Sequence, residues 1–80
     1  MSEFASYLVR ERGFTSKSAE DYAERITTVE RVLEYPINTR DEATAERQFR
    51  QRAKNSLSPT LISNCVSAMR AYEDYASRPR

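Results

Sequence analysis

The chain contains no histidine and no tryptophan, one cysteine (Cys65) and one glycine (Gly13). Without histidine there is no imidazole to ligate a metal or to act as a general base near neutral pH. That removes the usual zinc sites and the His-dependent triads. A lone cysteine forms neither an internal disulfide nor a thiolate metal site, and Cys65 is expected as a small apolar residue on a helix face. A single glycine leaves no glycine-rich phosphate loop. No stretch approaches the run of about 18 apolar residues that a membrane span requires. The opening Met1-Ser2-Glu3-Phe4 lacks the basic start and apolar core of a secretory signal. A cytoplasmic protein that engages no membrane is expected. At 80 residues the chain makes one domain, burying only about 60% of its unfolded surface, too little for a deep catalytic cleft. No enzymatic activity, no cofactor and no small-molecule substrate are expected.

What the chain has is charge of both signs and residues that favour helix, notably Glu, Arg and Ala. Thirteen basic and twelve acidic side chains leave a net charge of +1. Residues 14–35 hold three basic and five acidic side chains, −2 in sum. Residues 36–57 hold five and three, +2, and residues 58–80 hold three and two, +1. A near-neutral total is unusual for a nucleic-acid partner, so the distribution matters more than the sum.

Four segments have helical periodicity. The first, over 3–12, sets Phe4, Tyr7 and Leu8 on one face, with Ser2 as cap and Gly13 as a left-handed stop. The second, over 16–35, repeats Tyr22, Ile26, Val29 and Leu33, with Ala19 and Ala23 alongside. Thr15 or Ser16 caps it, and Pro36 bounds it. Its other face carries Glu20, Asp21, Glu24, Arg25 and Glu30. The third, over 40–54, opens on a capping box of Thr39 and Glu42. It has a thin apolar face of Ala45, Phe49 and Ala53, turns Arg47, Arg50, Arg52 and Lys54 outward, and ends at Asn55. The fourth, over 59–77, opens on Ser58 and Pro59 and carries the most apolar stripe: Ile62, Cys65, Val66, Met69, Tyr72 and Ala76. Ser77 and Pro79 end it. Four helices with short connections predict a compact all-α four-helix bundle with the fourth helix at its centre.

Two blocks carry a family resemblance. Phe4, the pair Tyr7-Leu8, Arg12-Gly13, the Thr15/Ser16 cap and Tyr22 follow one another in the first block. Leu57-Ser58-Pro59, Ser67-Ala68-Met69-Arg70 and Tyr72 make the second. In type, order and separation they resemble the N-terminal core-binding domain of tyrosine recombinases, the phage integrases and their relatives. That resemblance spans nearly the whole chain. It implies a helical bundle that clamps one side of a DNA duplex, with catalysis in a separate domain. Nothing in these 80 residues resembles that catalytic domain, so the five tyrosines are read as packing residues (Tyr7, Tyr22, Tyr72) and helix-end residues (Tyr35, Tyr75). The chain departs from the family early in the second and fourth helices. Basic residues are frequent there, but this chain has Glu20 and Asp21, and Ser63, Asn64 and Cys65.

A non-catalytic DNA-binding module is the first functional expectation. Its contact candidates are Ser16, Lys17, Ser18, Thr60, Ser63, Asn64 and Arg70, with the third-helix cluster Arg47, Arg50 and Lys54. Phosphate contacts would supply most of its affinity. The alternative is a small phage or mobile-element protein that uses the same bundle to bind and inhibit or regulate a protein or nucleoprotein complex. It would do so through the acidic face of Glu20, Asp21 and Glu24 or through the third-helix arginines.

Overall fold

Three hydroxyl side chains open three helices. Ser2 Oγ accepts from the Ala5 N–H at 3.1 Å, Thr15 Oγ1 from Ser18 at 3.1 Å and Ser58 Oγ from Leu61 at 3.2 Å. Each relieves one of the four donors that a helix start leaves unpaired. The computed structural model describes residues 2–37 and 41–78, and its helices are α1 (Glu3–Arg12), α2 (Ser16–Leu33), α3 (Glu42–Ala53) and α4 (Pro59–Ala76). They form a compact all-α four-helix bundle. No helix of the described residues is long and apolar enough to cross a membrane.

Three boundaries differ from the periodicity. The capping box involves Thr39, which lies outside the described residues, as does Pro79 after α4. The third helix starts at Glu42, with Asp41 as its cap: Asp41 Oδ1 accepts from the Thr44 N–H at 3.1 Å. The Thr44 hydroxyl donates to the other carboxylate oxygen, and these two bonds, the hydroxyl's first, hold the Asp41 carboxyl below its ordinary range. At its far end α3 stops at Ala53 without a left-handed residue, so Asn55 does not play the expected role. The Ser56 and Leu57 N–H groups both turn back to the Ala53 carbonyl, at 3.0 and 2.9 Å. Helix α2 stops at Leu33, short of Pro36, because Glu34 turns left-handed at φ 65°, ψ 23°.

Glu34 and Gly13 (φ 72°, ψ 20°) thus do the same job with different side chains. A Cβ costs about 1–2 kcal/mol in the left-handed region, and glycine is the usual solution. At Gly13 an added Cβ would meet nothing within 4 Å, so any penalty there is conformational alone. Gly13→Ala should therefore lower stability by about 1 kcal/mol. Glu34→Gly should raise it by about 0.5–1 kcal/mol, the glycine's greater unfolded-state freedom offsetting part of the gain. Urea unfolding of the two variants against the parent checks both signs, and a loss on Glu34→Gly would contradict the assignment.

Helices α2 and α4 form the central pair. Each packs on all three other helices, whereas α1 and α3 flank them and do not touch. The fourth helix therefore shares the centre instead of occupying it alone. Its buried face is wider than the expected stripe: Ala68 and Ala71 join Cys65, Val66 and Met69, while Ile62 and Tyr72 are partly buried and Ala76 is exposed. Small side chains let α2 and α4 approach closely, and Ala19, Val29, Cys65 and Ala68 are all fully buried. The core has no buried polar or charged residue among those described.

Around this core the chain ends and connections are tied by side chains. Phe4, Tyr7, Tyr72 and Tyr75 form one aromatic cluster with ring centroids 5.2–5.8 Å apart. Tyr75, expected merely at a helix end, thereby becomes a packing residue. Its hydroxyl donates to Glu3 at 3.3 Å, and Arg78 lies 4.6 Å above the Tyr7 ring. The 34–41 connection turns Ile37 into the core, and the Glu30 carboxylate accepts the Ile37 N–H at 2.9 Å. Glu30 is therefore a strut for that connection, not part of a solvated acidic face.

Candidate functional site

On α4 the exposed residues Thr60, Ser63, Ser67, Arg70 and Asp74 recur every three or four positions, with the exposed Asn64 beside Ser63, which aligns them on the solvent side of the helix. On α3 the exposed Arg47, Arg50 and Lys54 recur the same way. The short connection after Ala53 makes α3 and α4 a hairpin, and the two polar stripes meet. Between them lies an open groove of about 600 Å3, lined by Ala43, Glu46, Arg47, Arg50, Arg70 and Asp74. Three guanidinium groups against two carboxylates leave the groove one positive charge in excess.

Glu46 organises this groove. Its Oε1 receives the Arg70 Nε at 3.3 Å, and its Oε2 receives the Arg70 Nη2 at 3.4 Å and the Arg50 Nε at 3.4 Å. The Glu46–Arg50 part is an i, i+4 pair in the favourable order, legible from the sequence. The Arg70 part spans 24 residues and has no sequence signal. Asp74 is turned the other way, to Arg12 of α1 at 3.6 Å.

The structure divides the expected third-helix cluster. Arg47 and Arg50 line the groove, while Lys54 is exposed at the far end of α3 and does not. Arg52 leaves the cluster altogether: its guanidinium donates to the Leu33 carbonyl at the end of α2. A cation there satisfies a free carbonyl and complements the negative end of the helix dipole. Thr60, Ser63 and Asn64 are exposed on the α4 stripe that leads to Arg70 but do not line the groove. Ser16, Lys17 and Ser18 are exposed in the first turn of α2 and share no ion pair or side-chain hydrogen bond with groove residues among those described. Of the acidic residues of α2, Glu20 and Glu24 are exposed and Asp21 is half-buried.

Two nucleophile-type side chains are shifted away from reactivity. Burial pushes the Cys65 thiol above its ordinary 9.0, with nearby Arg25 acting weakly the other way. Burial first, then the charges of Glu30 and Tyr75, pushes the Tyr72 phenol above its ordinary 10.0. An activated nucleophile has the reverse shift. No group of three or more His, Cys, Asp or Glu able to hold a metal occurs among the described residues. The shifts also set a pH dependence. Unfolded, the thiol and phenol lose protons near pH 9 and 10; folded, they retain them to higher pH. Their contribution to stability is therefore complete below about pH 9 and is lost as pH rises through the folded values. Urea midpoints should fall between pH 8 and pH 10.5, and less steeply in Tyr72→Phe; equal slopes would remove Tyr72 as a cause.

Comparison of the chain with family models, with curated proteins and with solved structures gives no match.

Proposed function

We propose that this domain is a non-catalytic DNA-binding module, as the resemblance to recombinase core-binding domains implies, and that it binds the phosphate backbone of a duplex through its α3–α4 face. The observation that carries this reading is the convergence of Arg47, Arg50 and Arg70 on one open groove. Guanidinium groups suit phosphate because their forked donors match its oxygens, and exposed hydroxyl and amide side chains such as Thr60, Ser63 and Asn64 suit backbone and base-edge contacts. A lining of three arginines predicts salt-dependent, weakly sequence-dependent association, with log K falling against log salt with a slope of about −2 to −3.

Fluorescence anisotropy of a labelled duplex titrated with the protein at several salt concentrations tests it. Binding that weakens along that slope supports the reading. No binding at low salt at protein concentrations on the order of 100 µM, the weak end of non-specific affinity, overturns it.

A second reading is a protein or nucleoprotein partner that this domain inhibits or regulates. It is favoured by the exposed Glu20 and Glu24 of α2, because carboxylates repel a phosphate backbone and suit a basic protein surface. Capture of a defined basic protein that is lost in Glu20→Lys/Glu24→Lys, with no duplex binding, would favour that reading over DNA.

A further inference from the structure

Glu46 occupies the place in the groove where an anion would sit. Both of its oxygens are engaged, by Arg70 through two contacts and by Arg50 through one. The carboxylate is mostly covered, with 23% of its side chain exposed, whereas Arg50 and Arg70 are 50% and 64% exposed. The arginines can therefore turn to an external ligand while the carboxylate stays behind. The contacts are 3.3–3.4 Å long, beyond the 2.7–2.9 Å or so of a tight charge-assisted pair. Exchanging them for phosphate oxygens costs little.

Resting on the DNA reading of this face, we infer that Glu46 is a specificity-determining residue that reserves Arg50 and Arg70 for ligands offering several neighbouring phosphates. A single anion competes with a carboxylate already tethered beside both guanidinium groups, and gains too little to displace it. A duplex backbone engages Arg47, Arg50 and Arg70 together and releases condensed counterions as it does so. Glu46 then lies beside the incoming phosphates and lowers affinity for all of them, which keeps binding reversible. It also holds the two arginines in place when no ligand is bound, so their side chains are ordered before association.

The test compares wild type with Glu46→Gln, which keeps the side chain's shape and removes its charge, using a short DNA duplex and inorganic phosphate as probes. Circular dichroism confirms equal folding. Glu46→Gln should bind the duplex about three- to fivefold more tightly at low salt, with a salt slope steeper by about one. Inorganic phosphate should compete with duplex at lower concentration against Glu46→Gln than against wild type. In Glu46→Gln/Arg70→Ala the gain should disappear, which a merely structural role for Glu46 would not produce. Duplex binding by Glu46→Gln alone, with none by wild type, overturns both the DNA reading and the inference, because Glu46 then closes the arginines to many phosphates as well as to one. If wild type binds duplex and Glu46→Gln binds it no more tightly, the inference is overturned and the DNA reading stands. If neither protein binds duplex, both are overturned.

Discussion

Phe49→Ala is expected to lower the stability of the domain by about 3–5 kcal/mol, the range for emptying a fully buried aromatic site. Phe49 is the largest fully buried side chain among the described residues and lies within α3. Its neighbours on that buried face, Ala45 and Ala53, cannot reach into the space it leaves. The cavity therefore stays open. Total stability for a domain of this length is on the order of 4–12 kcal/mol, so one truncation removes a large share of it. Since about 1 kcal/mol moves the melting temperature of such a domain by 4–8 °C, a fall of more than about 12 °C should be seen. Thermal unfolding followed by circular dichroism measures it. Tyr35→Ala is the contrast. Tyr35 is 38% exposed and contributes a hydroxyl bond to Gln48, so its loss should cost less than about 1 kcal/mol. If both variants lost the same amount, α3 would not be anchored through Phe49.

Replacing Arg47, Arg50 and Arg70 together by alanine should lower affinity for a DNA duplex at low salt by on the order of a hundredfold. It should also flatten the salt slope by about two to three, one phosphate contact per arginine. Folding should survive, because all three side chains are exposed and the lost pairs with Glu46 are surface pairs, each worth at most about 1 kcal/mol. Lys17→Ala separates two possible footprints. If duplex lies along the α3–α4 groove, removing Lys17, exposed in the first turn of α2, should leave the slope unchanged. If the contacts implied at the start of α2 by the family resemblance dominate, Lys17→Ala should flatten the slope by about one and the triple variant should matter less. Equal, unchanged binding by both variants would remove the phosphate-contact role from each surface.

Much of the fold was legible residue by residue. The caps at Ser2 and Ser58, a cap at Thr15 or Ser16, the left-handed stop at Gly13 and the buried faces of α1 and α2 are all legible from signals confined to a few neighbouring positions, and the structure selects Thr15. Such signals act within one helical turn, where chain connectivity already holds the partners together. The boundaries that differ from the periodicity have separate causes. Asp41 and Thr39 are both capable caps, and sequence alone does not rank them. Glu34 is a residue that local preference keeps out of the left-handed region, yet Ile37 has to reach the core and the Glu30 carboxylate receives its N–H. Packing overrode preference there.

The site was legible only in pieces. Arg47, Arg50 and Arg70 were each marked as exposed cations, but so was Arg52. On a helix surface these side chains have the same local standing. Which of them converge is decided by how α3 packs on α2 and α4, whose shared core includes the buried Phe49, Leu33 and Met69. Arg52 was thereby carried to the end of α2, and Arg70 to Glu46. The sequence by itself determined that this chain makes four capped amphipathic helices, with a polar stripe on the fourth and basic residues on the third. Only the tertiary structure decided that Arg70 of the stripe shares one groove with Arg47 and Arg50, with Glu46 between its arginines, because contacts across 24 residues depend on packing geometry that no local signal encodes.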